Sequence, residues 1–338
     1  MTVAPTSRAR RGAVTRAGGL LSTGVLLAGC APTPVPQAQV ETAAPRPVVT
    51  PEQATRISQA AVEAVADADA AADPALLTER VAGPELALRS ARYAAARAGA
   101  PAGPAYGADV LEPLSAFVPR QEGWPRWLIT VTQPGPDRLP SLALLRSESA
   151  REPYRLWASP SLLSGVSLQP AGSPAAGVEA VDPEGAAGLA AAPSEVAQRY
   201  ADVLLRGPDS LHAAEFAEDS YRSEVAVVTR ADAEAVRAAG GTYAQERALV
   251  PGSVVAARTD DGGALVMAAY DWSVTHSLPP EAGTGRLAPV FAALAGREAV
   301  RGATRRWVEV MAFAVPPAGS GPVRVVAAQH GPVAVEAT

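Results

Sequence analysis

Two stretches too rich in Pro, Ala and Gly to build a core, 31–49 and 170–192, bound what this chain can fold into. They leave residues 50–169 and 193–338 as the segments able to bury apolar surface. At about 150 residues per domain, a chain of 338 residues is long for one domain and comfortable for two. Hydrophobic residues make up 48%, but many are alanine and only 5% of the chain is aromatic. Any core must therefore rest on Leu, Val and the five Trp.

The first 29 residues read as an address. Arg8, Arg10, Arg11 and Arg16 precede a short apolar run that ends in Leu27-Ala28-Gly29-Cys30. Positive charge, a short apolar stretch and small residues make the pattern of a secretory signal peptide; a membrane span needs about 20 apolar residues. Arg10-Arg11 is followed by Gly12-Ala13-Val14, a poor fit to a twin-arginine signal, so general secretion is expected. Leu27, Ala28, Gly29 and Cys30 resemble the lipobox of bacterial lipoproteins. The resemblance implies cleavage before Cys30, fatty acyl chains such as palmitate on that cysteine, and a place on the outer face of the cytoplasmic membrane. Two acyl chains anchor stably where one is marginal. Residues 30–49 then form a Pro-rich tether able to reach roughly 60 Å.

Net charge is −5, and removal of the four Arg in residues 1–29, which hold no acid, leaves the mature chain at −9. So acidic a body has no electrostatic footprint for nucleic acid and is repelled by anionic lipid, which leaves the anchoring to Cys30. A single Cys rules out an internal disulfide.

The segments 50–169 and 193–338 share a plan. Thr50-Pro51-Glu52-Gln53 has the spacing of a capping box, and the Ala-rich run behind it carries a helical stripe of Ile57, Ala61, Val62 and Val65. A short helical piece over 76–81 is broken by Gly83-Pro84, and 85–98 reads equally as strand or helix. Alternation then predicts strands at 127–132, 142–146 and 154–158. In the second segment, Pro193-Ser194-Glu195 opens a helix to Leu205, with a short helix near 211–217. Strands follow at 242–249, 253–258, 264–276, 306–315 and 323–329. Gly240-Gly241 stops a helical-looking Ala-rich run. Arg126-Trp127 and Arg306-Trp307 open matching strands in the two segments.

Helix first and a long antiparallel sheet after it is the plan of α+β domains. It resembles the nuclear-transport-factor-2-like or cystatin-like superfold, which implies two tandem domains, each a curved sheet wrapped on a helix. The mature chain is also similar to two-domain lipoproteins of high-GC Gram-positive bacteria. Val81-Ala82-Gly83-Pro84-Glu85-Leu86, Trp124-Pro125-Arg126-Trp127 and Ser194-Glu195-Val196-Ala197-Gln198-Arg199-Tyr200-Ala201 carry that resemblance. It implies a fold and an address and brings no activity.

Catalytic patterns are sparse. His212, His276 and His330 are far apart in the chain, with no ligand spacing for a metal. Asp271 and His276 share a predicted strand, but alternation turns them to opposite faces. Glu309 falls on the same face as Trp307, Met311 and Phe313. There a carboxylate is either a perturbed acid or base, or the partner of an arginine such as Arg305. Asp260-Asp261-Gly262-Gly263 is a hairpin turn without the other oxygen ligands of a calcium loop. No nucleotide, phosphate or nucleophile motif occurs, and no cofactor or metal is expected. Asp271 and Glu309 stand as the pocket candidates. The expected role is non-enzymatic binding of an envelope protein, a glycan or a small apolar ligand. The alternative is a carrier or enzyme with a pocket in one domain.

Overall fold

The computed structural model describes residues 45–337, apart from 102–112, 134–137, 170 and 187. The lipobox residues Leu27, Ala28, Gly29 and Cys30, and most of the tether, lie outside the described residues. Among those described, no helix is long and apolar enough to cross a membrane.

Helix α1 (Pro51–Ala71) begins as its sequence dictates. The Thr50 N–H donates to Gln53 Oε1 at 2.8 Å and the Gln53 N–H to Thr50 Oγ1 at 3.3 Å, so the capping box closes. Ala54, Ser58, Ala61, Val65 and Ala68 form its buried stripe. The ambiguous 85–98 is helical: α2 spans Gly83–Arg97, and Gly83-Pro84 starts this helix rather than breaking a preceding one. Gly83 takes φ +55°, and a Cβ there would stand 2.4 Å from Trp157 Nε1.

The first half supplies β1 (Ser115–Phe117), β2 (Pro119–Arg120), β3 (Arg126–Thr132), β4 (Ser141–Ser147), β5 (Arg155–Ala158), β6 (Ser161–Leu162) and β7 (Val178–Glu179). Next come α3 (Pro193–Arg206) and α4 (Ser220–Ala238), then β8 (Thr242–Leu249), β9 (Val255–Arg258) and β10 (Ala264–Ser277). A short arm holds β11 (Gly285–Arg286), α5 (Pro289–Ala295) and β12 (Ala299–Val300), before the long strands β13 (Gly302–Val315) and β14 (Arg324–Ala337). The protein is α+β. Helix α5, and the continuation of β14 through Gly331-Pro332, are not foreseen from the sequence.

The two halves repeat the helix-then-strand order, yet they do not close as separate domains divided at 170–192. Residues 44–338 form one compact unit. A single ten-stranded sheet runs β1-β3-β4-β6-β14-β13-β10-β8, with β5 on β4 and β9 on β10. The two-residue β6 makes the join, pairing Ser161 with Ser141 of β4 and Leu162 with Ala327 of β14. The sheet curls so that the inner faces of its halves meet. Ile129, Leu142 and Leu144 from one half share a core with Met267, Val310, Ala312 and Val326 from the other. Alternation sends Leu128 and Leu145 outward to a second core under α1. It likewise sends Val266, Tyr270, Met311 and Phe313 to a third core under α3 and α4. Segments buried on both faces cannot stand alone, because dividing the chain would expose the shared inner core.

A buried polar network fastens α1 and α2 to this sheet. Arg89 is fully buried; its Nε donates to Glu85 Oε1 at 2.7 Å and its Nη1 to Asp69 Oδ2 at 2.9 Å. Glu85 Oε2 accepts from Ser159 Oγ at 2.8 Å and from Gln329 Nε2, on β14, at 3.1 Å. Tyr93 donates to Asp69 at 2.5 Å; burial and that carboxylate push its pKa up to about 12. Every carboxylate oxygen of Glu85 has a partner, as a buried charge requires.

Candidate functional site

A second polar cluster lies on the sheet face that α4 covers. Register arranges it as a grid. Tyr243 of β8 is opposite His276 of β10, which is opposite Ala303 of β13. The next inward rows are Gln245, Val274 and Arg305, then Arg247, Trp272 and Trp307. The last is Leu249, Tyr270 and Glu309, extended to His330 of β14. Since side chains alternate, all of these face one way.

Glu309 is fully buried at the inner end. Its oxygens accept from Arg247 Nε at 2.7 Å, Arg247 Nη2 at 3.1 Å and Tyr221 Oη, on α4, at 2.6 Å. The expected partner Arg305 is therefore the wrong one; Arg305 pairs with Asp232 of α4. Arg247 reaches Glu309 because β10 separates their strands by a single step, which a guanidinium on a long stem can cross. The Arg247 guanidinium carbon sits 4.3 Å from the Trp272 ring centroid, close enough for a cation–π contact. Trp272 stacks on Trp307 at 4.5 Å, and Phe291 of α5 meets Trp307 edge-on at 5.4 Å.

Burial, and secondly the Glu309 charge, raise the pKa values of Tyr221 and Tyr270 well above the usual tyrosine value. His330, whose ring lies 5.5 Å from that of Tyr221, has its pKa lowered by burial against the opposing pull of Glu309. His276 is lowered by burial first and by Arg305 second. Both rings are thus held toward the neutral form.

Two of the sequence candidates come to this face, and one does not. Glu309 and His276 stand at opposite ends of the grid, six residues of strand apart by register, roughly 20 Å. Asp271 projects from the other face of β10 and is exposed. Arg247, Tyr221 and Trp272 are not singled out by the sequence, and Arg305 is named there only as a partner for Glu309. The alternation Tyr243-x-Gln245-x-Arg247 is the one local sign of a polar stripe on a covered face. Among the described residues no group of three His, Cys, Asp or Glu could hold a metal ion.

What separates this cluster from the Glu85 network is its unmet hydrogen bonds. Tyr243 Oη, Gln245 Oε1, Arg247 Nη1, Trp272 Nε1, His276 Nδ1 and Arg305 Nε are all buried without a partner among the described residues. Each such atom costs about 1–3 kcal/mol, and native proteins seldom leave one unexplained. Six on a patch three strands wide mark a place built to meet polar atoms from elsewhere.

No curated protein and no solved structure matches this chain. One family model does, spanning residues 45–337 and so the whole described body. The chain belongs to that family, a domain of unknown function, DUF8094.

Proposed function

We propose that this protein is a lipid-anchored, extracytoplasmic binding module whose ligand is held on the aromatic and arginine face formed by β8, β10 and β13. The signal-like first 29 residues and the Leu27-Ala28-Gly29-Cys30 ending support the address. The six unpartnered buried polar atoms beside Trp272, Trp307 and Phe291 carry the binding reading. Binding is preferred to catalysis because Glu309 is committed on both oxygens to Arg247 and Tyr221. A general acid or base must instead reach the reacting proton. Native mass spectrometry of the chain isolated from its own cells tests this. A non-covalent mass is expected on the wild type and lost in Trp272→Phe/Gln245→Ala, which removes two of the six unpartnered polar atoms and keeps an aromatic ring. A mass retained by the double variant contradicts the proposal.

Exposed apolar side chains favour a second reading, docking of a protein partner. Leu211 is 93% exposed, Val227 68% and Val228 60%. Crosslinking on intact cells should then trap one partner, lost on Val227→Asp/Val228→Asp. The address has its own test: Cys30→Ala should leave the membrane fraction under a high-salt wash, which screens residual ionic association.

A further inference from the structure

Resting on the binding reading above, we infer that the arm 278–301 is a lid at the edge of this face, beside α4, and that it admits a small organic acid, a carboxylate on an aromatic or acyl body. The arm joins β10 to β13 and is closed at its base by the Leu278 N–H donating to the Arg301 carbonyl at 2.7 Å. Within it, β11 and β12 share two residue pairs, and no residue of α5 is fully buried. Few buried contacts and a short ladder place a segment at the low end of local stability. Gly283 and Gly296, at φ +72° and +66°, bracket α5 with backbone that can swing. The arm reaches the patch through Phe291, which packs on Trp307 and under the Arg305 guanidinium at 5.2 Å.

Where the arm meets the patch, Phe291 closes on Trp307 and Arg305, and Arg305 Nε there has no partner among the described residues, so closure without a ligand is penalised. A ligand that meets this and the other unpartnered atoms of the patch removes the penalty. Its chemistry follows from theirs. Arg247 Nη1, Trp272 Nε1 and Arg305 Nε can only donate, against one atom, Gln245 Oε1, that can only accept. The occupant must therefore bring acceptor oxygens, and a carboxylate suits guanidinium donors best. Trp272, Trp307 and Phe291 supply apolar walls for its body. Asp232, a third exposed, is the resident counter-ion of Arg305 at the edge of the patch. An incoming carboxylate replaces it there, and Asp232 turns to water.

The test uses the mature chain, with benzoate as probe and benzyl alcohol as its uncharged counterpart. Hydrogen exchange should show the amides of 285–300 exchanging faster than those of β10, and slowing when benzoate is added. Calorimetry should show saturable benzoate binding, about ten-fold weaker binding of benzyl alcohol, tighter binding in Asp232→Asn and loss in Arg305→Met. If the arm is as protected as β10, the lid is overturned. If benzyl alcohol binds equally well, if Asp232→Asn does not bind more tightly, or if benzoate does not bind at all, the organic-acid assignment is overturned. The binding reading then still stands or falls on the native mass.

Discussion

Arg247 lies against the face of Trp272 and closes on Glu309, its Nε 2.7 Å from Oε2, with both side chains fully shielded from solvent. This pair sets the chemistry of the second half. A buried carboxylate that reads in sequence as either a perturbed acid or base or the partner of an arginine is the anchor of an arginine. The arginine in turn offers one nitrogen without a partner among the described residues, Nη1, to its surroundings.

Breaking that pair should be costly and replacing it cheap. Glu309→Leu or Arg247→Met alone leaves a charge buried without its partner and should lower stability by about 3–5 kcal/mol. The double variant should recover most of that loss. Urea unfolding of the four proteins measures the coupling, and single variants within about 1 kcal/mol of wild type would show the pair to be dispensable.

Acid should weaken the fold before its carboxylates titrate. His276 and His330 both have folded pKa values below the ordinary 6.5, chiefly through burial. The unfolded chain therefore binds these protons first, so stability is full above about pH 6.5 and falls below it. Glu52, Glu215 and Asp261 have lowered pKa values, so their contribution is lost only below about pH 4.5. Unfolding midpoints between about pH 5 and 7.5 should fall with acid in the wild type and stay flat in His276→Gln/His330→Gln. A wild type that is flat across this window counts against burial of the rings.

Gly83→Ala should destabilise although it strengthens helix propensity. The position needs φ +55°, and the added methyl would collide with the Trp157 indole, 2.4 Å away. A loss of about 1–3 kcal/mol is expected from the backbone alone. Thermal unfolding beside Gly99→Ala, which has open space at its Cβ position, separates the clash from the backbone term.

Much of the fold was legible wherever structure is local. The Thr50 cap, the alternation of β3 and β10 and the opening of α3 are all decided by neighbours in the chain. The single sheet was not, because its join rests on two residues of β6 pairing with β14, some 165 residues later by register. Nor was the partner of Glu309: Arg305 is near in sequence, whereas Arg247 is near only once β8 and β13 flank β10. The same holds for Glu85, whose partners Ser159 and Gln329 come from opposite halves. Side-chain alternation did place Asp271 and His276 on opposite faces, which needed only the strand itself.

Complementation in a deletion strain tests the central claim most directly, with surface abundance checked for each variant. Asp271→Ala, on the exposed opposite face, should restore function fully. Trp272→Phe/Gln245→Ala should be folded and abundant yet fail to restore it. The reverse pattern, in which the double variant complements and Asp271→Ala does not, would contradict the assignment of function to this face.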